Sequence, residues 1–147
     1  MNQIQILFLI LFGLISLITT IFSYFNIASK NNPFGLAPKF LNLFTIFVWG
    51  DGLPIGLFLT LTTLISLHLN HWNLFLLFMS TFFLVRSVGE TIYWLNEQFS
   101  SLKRNPPKTL TGFKIYKNDS IWFAYQIFWQ CLSAIFFVLS FYLLKKI

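Results

Sequence analysis

The fold is decided by residues 4–25, which read IQILFLILFGLISLITTIFSYF and contain no charged side chain. Gly13 and a few hydroxyl or amide residues are the only interruptions of this apolar run. A membrane-spanning helix needs about 20 mostly apolar residues, so this stretch is long enough to cross a bilayer. It predicts a first transmembrane helix.

The composition of the whole chain agrees with a membrane location. Of 147 residues, 56% are hydrophobic, 20% are aromatic and only 10% are charged, and the mean hydropathy is +0.72. Soluble domains contain roughly 25% charged residues, so the composition excludes a soluble monomer and an intrinsically disordered chain. The length allows one domain with at most four or five spans.

Three further apolar stretches complete the predicted architecture. We expect an all-α integral membrane protein, a single domain over residues 1–147, with four transmembrane helices in a compact bundle. The third helix is predicted to be long and to continue to about Phe99, beyond what one bilayer requires, and Asp119 or Ser120 is expected to cap the fourth. The predicted spans are residues 4–25, 52–69, 72–95 and 120–144.

A polar break divides the second apolar stretch, because residues 49–54 read WGDGLP. Asp51 is a good N-cap residue, and Pro54 then falls in the first helical turn. We therefore expect Phe40–Trp49 to form a short interfacial segment before the second span. The alternatives are one kinked helix, or a re-entrant segment that buries Asp51 in protein.

The basic residues predict the orientation. Loops 26–39 and 100–118 lie on one side and contain seven Lys or Arg residues, whereas the opposite side has two, at the C-terminus. The positive-inside rule makes both loops cytoplasmic and leaves both termini outside, in a bacterial cytoplasmic membrane. The basic loop 100–118 is expected to contact anionic lipid headgroups rather than nucleic acid.

This orientation brings the polar residues of different spans to similar depths. Arg86 lies about 21 Å along the third helix from Trp72, and Glu90 is one turn closer to the cytoplasm. A charged group at the bilayer centre costs about 2.5–3.5 kcal/mol, so Arg86 must face protein or water. We expect a polar cluster in the inner leaflet whose candidate ligand or ion-pathway residues are Asp51, Arg86, Glu90, Tyr93, Gln126 and Gln130.

Three interpretations of this cluster stay open. Arg86 and Glu90 can be a structural ion pair, with Gln126 and Gln130 joining helices. They can instead line a functional pocket that opens to the cytoplasm, or they can lie on a third helix that simply protrudes from the membrane. The spacing of the residues does not separate these cases.

Small residues mark two helix-packing faces. Gly52, Gly56 and Thr60 lie along one face of the second span, and Gly13, Ser16 and Thr20 along one face of the first. Such faces permit close helix contact, either inside the bundle or between two copies of the chain.

No motif in the sequence carries a known chemistry. His68 and His71 flank a turn with no carboxylate or thiol close by in sequence, and Cys131 is the single cysteine, so we expect no metal site and no cofactor. No nucleotide-binding or hydrolase motif is present.

Three functions are compatible with these features. The first is a non-enzymatic accessory protein that binds a ligand or a membrane-protein partner. The second is a small homo-oligomeric transporter or channel that uses the Arg86/Glu90 pair. The third is a lipid-modifying membrane enzyme with Glu90 or Asp51 as acid or base.

Overall fold

The computed structural model describes residues 1–101, 103–116 and 118–147, and this part of the chain is helical. Within these residues, four helices are long and apolar enough to cross a membrane, which is compatible with an integral membrane protein. The helices are α1 (Gln3–Lys30), α2 (Trp49–His68), α3 (Trp72–Phe99), the short α4 (Phe113–Tyr116) and α5 (Ser120–Leu144).

Two helices extend beyond their predicted spans. The first was expected to end near residue 25, but α1 continues to Lys30 and ends where Asn31 adopts a left-handed conformation with φ of 46°. The third span was expected to end near residue 95 and its helix to continue to about Phe99. The helix α3 does end at Phe99. Hydropathy marks the apolar run, whereas a helix continues through polar residues until the backbone turns.

The start of α2 differs from the prediction. The helix begins at Trp49, so Asp51 is its third residue and not its N-cap. The Trp49 N–H donates to the Gly35 carbonyl at 3.0 Å, and the Gly50 N–H donates to the Pro33 carbonyl at 2.7 Å. Because these loop carbonyls satisfy N–H groups that a capping side chain would otherwise satisfy, the helix starts earlier than the capping pattern indicated.

The predicted interfacial segment Phe40–Trp49 is only partly helical. A 3₁₀ helix covers Lys39–Phe44 and ends at Thr45, which has a φ of 58°. This break shows that the second apolar stretch is not one kinked helix. Pro54 lies in the second turn of α2 rather than the first. Placement of the 3₁₀ helix at a membrane interface stays a prediction.

The chain forms two units, residues 1–78 and 79–147, and their assembly into a single bundle stays a prediction. In the first unit, α1 and α2 run antiparallel along their small residues. A Cβ added to Gly56 would lie 2.4 Å from Thr20 Oγ1 and 3.0 Å from the Ser16 carbonyl oxygen, and one added to Gly13 would lie 3.0 Å from Thr63 Cγ2. The two backbones therefore approach as closely as glycine permits.

Several hydroxyl side chains at this contact donate to a carbonyl of their own helix. Thr20 Oγ1 donates to the Ser16 carbonyl, and Thr60 Oγ1 donates to the Gly56 carbonyl. Each hydroxyl thus bonds one turn back on its own helix, which leaves a smooth surface for the neighbouring helix.

The other end of the first unit is closed by aromatic rings and by the turn between α2 and α3. The rings of Phe8 and Phe12 contact Phe75 at centroid distances of 6.2 and 5.4 Å. The N-terminal ammonium donates to Asn70 Oδ1 at 3.2 Å. The α1 start and the α2–α3 turn consequently lie together.

In the second unit, the C-terminal part of α3 runs antiparallel to α5. The hydroxyls of Ser80 and Ser140 are hydrogen-bonded at 2.8 Å, and Ser133 Oγ donates to Ser87 Oγ at 2.9 Å. Each step of seven residues along α3 is thus matched by a step of seven back along α5, which places one stripe of each helix against the other.

The N-terminal cap of α5 also differs from the prediction. Asp119 makes no side-chain cap bond, and Ser120 is the first helical residue. Asn118 Oδ1 instead accepts from the Ser120 N–H at 2.9 Å. Asp119 has a helical φ and ψ, whereas an N-cap residue normally has an extended backbone. The predicted cytoplasmic cation Lys117 lies outside the described residues.

Candidate functional site

The second unit contains the charged pair that the sequence singles out. Arg86 Nη2 lies 3.0 Å from Glu90 Oε1, and the two side chains are 26% and 13% exposed. The pairing expected between these residues is therefore present, one turn apart in the middle of α3. Partial exposure means that the pair is not sealed within the second unit.

Four ionisable residues of α3 form a surface that we call the polar face of α3: Arg86, Glu90, Tyr93 and Glu97. Successive members are three or four residues apart, so they share one side of the helix. Gly89 lies beside this face, about 60° around the helix from Arg86 at 100° per residue. A methyl group on Gly89 would meet no other heavy atom of the described residues within 4 Å, apart from its own helical turn and chain neighbours.

The two candidate glutamines of α5 differ in their surroundings. Gln126 is buried and its Oε1 accepts from Gln98 Nε2 at 2.6 Å. Gln130 is exposed. By the seven-residue register with α3, Gln130 lies level with Glu90. Gln126 thus joins α5 to the last two turns of α3 through its bond with Gln98.

The C-terminal end of the polar face is built around Glu97. This carboxylate is only 4% exposed, and its Oε1 accepts from the Asn105 N–H at 2.8 Å. The side-chain amide of Asn105 donates to the Tyr93 hydroxyl. A buried carboxyl group is costly unless it is hydrogen-bonded, and Asn105 bonds both this group and the Tyr93 phenol.

Lys103 ties the following loop to the same helix end. Its Nζ donates to the carbonyls of Glu97 and Gln98 at 2.6 and 2.9 Å, and it lies 4.4 Å from the centroid of a Trp122 ring. The last carbonyls of a helix lack intrahelical donors and carry partial negative charge. The Lys103 ammonium supplies both N–H donors and a positive charge at this helix end. The Trp122 indole N–H in turn donates to the Asn105 carbonyl at 2.9 Å.

These contacts surround an open pocket of about 240 Å³. Three of its lining residues, Tyr93, Glu97 and Arg104, are ionisable, and Asn96 and Ser100 supply an amide and a hydroxyl. Arg104 is exposed, whereas Glu97 and Tyr93 are held by Asn105. The pocket therefore combines a fixed carboxylate with an accessible guanidinium.

Asp51, the remaining candidate, belongs to the first unit. Its carboxylate accepts from the Phe47 N–H at 3.3 Å, which ties the start of α2 to the preceding loop. Its expected convergence with Arg86 and Glu90 stays a prediction. His71 also has a local role, because its Nδ1 accepts from the Leu74 N–H at 3.2 Å and caps α3.

Sequence reasoning missed Gln98, Lys103, Arg104 and Asn105 as contributors to this site. A signal for Glu97 exists, because it continues the helical spacing of Arg86, Glu90 and Tyr93. The loop residues offer no such signal, since their position depends on how the chain folds back after Phe99.

Neither a protein-family model, nor a curated protein, nor a solved structure matches this chain.

Proposed function

We propose that this protein is a non-enzymatic accessory protein of the membrane that binds a second membrane-embedded helix along the polar face of α3. The observation that carries the proposal is the partly exposed Arg86–Glu90 ion pair, 3.0 Å across, in the middle of a helix apolar enough to span a bilayer. In this setting the exposed fraction of both charged side chains needs protein or water around it.

A partner helix accounts for two features of α3 together. A polar side chain on that helix supplies further hydrogen bonds to the charged pair without exposing it to lipid. Gly89, with open space around it, lets the partner's backbone approach closely at the same level. Glycine in a helix interior lowers stability by about 0.5–1 kcal/mol relative to alanine. Close approach of a partner helix would explain why glycine occupies this position.

The test is photocrosslinking in native membranes from a photoreactive residue at Gly89, with Val138 as the matched control because it is also exposed on a long helix. We expect a protein adduct of discrete mass from Gly89 and lipid adducts from Val138. Replacing Arg86 and Glu90 together by Leu is expected to abolish the protein adduct. An adduct of twice the chain mass identifies the partner as a second copy.

Lipid adducts alone at both positions would refute the proposal. So would activity of the purified protein by itself. Solute flux across liposomes that is lost in Arg86→Ala and Glu90→Gln supports the transporter alternative. Turnover of a lipid that is lost in Glu90→Gln supports the enzyme alternative.

We also propose that loops 26–39 and 100–118 face the cytoplasm of a bacterial cell and that both termini lie outside. The excess of Lys and Arg in these loops supports this orientation, and the bond from the N-terminus to Asn70 is consistent with a shared side for the N-terminus and the α2–α3 turn. In a Cys131→Ser background, a membrane-impermeant maleimide should label Asn70→Cys in intact cells and Lys108→Cys only after lysis. The reverse pattern would overturn the orientation.

A further inference from the structure

The pocket at the end of α3 is placed where a membrane protein meets lipid headgroups. Tyr93 lies 21 residues beyond Trp72, which at 1.5 Å per residue is about 32 Å along the helix. The hydrocarbon core of a bilayer is about 30 Å thick. With Trp72 at one interface, the pocket residues of the last two turns therefore reach the opposite headgroup layer.

The size of the pocket restricts its ligand. Its volume is about 240 Å³. Clefts for drug-sized ligands measure about 300–1,000 Å³. The pocket therefore suits a group smaller than a drug-sized ligand, such as a single lipid headgroup.

The charges of the pocket restrict its ligand further. Arg104 presents an accessible guanidinium, which suits a phosphate. Glu97 presents a carboxylate on the same pocket, and its negative charge would repel a ligand that is only anionic. A ligand that carries a phosphate and an ammonium group satisfies both residues.

The neutral lining residues distinguish between ammonium groups. The hydroxyl of Tyr93 accepts from Asn105, so its own proton is directed to another acceptor such as a phosphate oxygen. Asn96 and Ser100 also line the pocket, and the oxygen of an amide or hydroxyl side chain is an acceptor. Acceptors need N–H donors, which a primary ammonium has and a quaternary ammonium lacks.

We infer that this pocket binds a phosphoethanolamine group, with the phosphate at Arg104 and Tyr93 and the primary ammonium at Glu97, Asn96 and Ser100. The group can belong to a phospholipid of the inner leaflet or to free phosphoethanolamine. The inference requires membrane insertion but not the partner helix proposed above. The crosslinking experiment at Gly89 tests the partner helix and the lipid experiment below tests the pocket, so either proposal can fail without the other.

The experiment measures lipid retained by the full-length protein, purified from nanodiscs that contain equal amounts of phosphatidylethanolamine, phosphatidylcholine and phosphatidylglycerol, by native mass spectrometry. We expect selective retention of phosphatidylethanolamine. Arg104→Ala and Glu97→Gln should each lower its affinity about tenfold, because each removes a charge-assisted hydrogen bond. Lys108→Ala is the matched control, since it removes a cation of the same loop that does not line the pocket.

A second arm separates the two sources of the ligand. Soluble phosphoethanolamine that displaces the lipid at millimolar concentration identifies the headgroup alone as sufficient, and failure to displace it identifies the lipid as the ligand. Equal retention of the three lipids, or equal affinity in Arg104→Ala and Lys108→Ala, would overturn the inference. Circular dichroism of each variant in the same nanodiscs checks folding, and Arg104 is exposed, so its variant keeps the test valid even where Glu97→Gln is unstable.

Discussion

Gly56→Ala is expected to destabilise the protein, although alanine is the better helix former. The added methyl carbon would lie 2.4 Å from Thr20 Oγ1, 3.0 Å from the Ser16 carbonyl oxygen and 3.1 Å from the Thr20 backbone nitrogen. Two of these atoms are backbone, so α1 and α2 must separate. Overpacking of this kind costs about 1–3 kcal/mol, and the gain in helix propensity returns about 0.5–1 kcal/mol.

Gly89→Ala is the matched control, because it replaces a helical glycine with open space around it. This variant should gain about 0.5–1 kcal/mol of stability from propensity alone. Both variants gain the same helix propensity, so it cancels when their free energies of unfolding are subtracted. The difference should equal the overpacking penalty of about 1–3 kcal/mol. Reversible unfolding of the full chain by SDS titration in mixed micelles, followed by circular dichroism, measures both free energies of unfolding.

Equal stability of Gly56→Ala and Gly89→Ala would refute the close α1–α2 contact. If Gly56→Ala does not fold, Gly13→Ala supplies a milder test, since its methyl group would meet the Thr63 side chain at 3.0 Å rather than the backbone. Its loss of stability should lie between those of the other two variants.

Three further outcomes are expected from the same unfolding measurement. Ser23 Oγ is buried without a hydrogen-bond partner among the described residues, so Ser23→Ala should be neutral or stabilising. The same oxygen lies 2.1 Å from a Cβ added to Gly52. In a double-mutant cycle, Ser23→Ala should therefore restore stability that Gly52→Ala loses. Arg86→Leu should lose more stability than the double replacement of Arg86 and Glu90 by Leu, because the single variant leaves a half-buried carboxylate without its partner guanidinium; the reverse order would contradict the ion pair. Lys103→Met should cost about 1–2 kcal/mol, since it removes the α3 C-terminal cap and the cation–π contact; an unchanged free energy of unfolding would mean that neither contact forms in the membrane-mimetic environment.

Helix identity was predictable because it depends on local composition. An apolar run such as residues 4–25 forms a helix in a bilayer whatever its neighbours are, since every backbone polar group must be satisfied within the segment. The Arg86–Glu90 pair was predictable for the same reason, because residues four apart on a helix are neighbours in any fold.

Helix ends were predicted less well, because non-local contacts replace the local caps. Asp51 has the right chemistry for an N-cap, yet α2 begins two residues before it, where the carbonyls of Gly35 and Pro33 accept from the Trp49 and Gly50 N–H groups. At α5 the cap passes from Asp119 to its neighbour Asn118. A capping pattern shows that a residue can act as an N-cap, but it does not show which group accepts the hydrogen bonds in the folded protein.

By itself, the sequence determined the helical class and the four helices long and apolar enough to span a membrane, because local composition settles both. It also determined the face shared by Arg86, Glu90 and Tyr93, because spacing along a single helix settles that. Only the tertiary structure decided that Gln126 bonds Gln98 and that Asn105 bonds both Glu97 and Tyr93. Those contacts depend on the register of α3 against α5 and on the path of the loop after Phe99. Both are set by packing between segments distant in the chain, which no local pattern records.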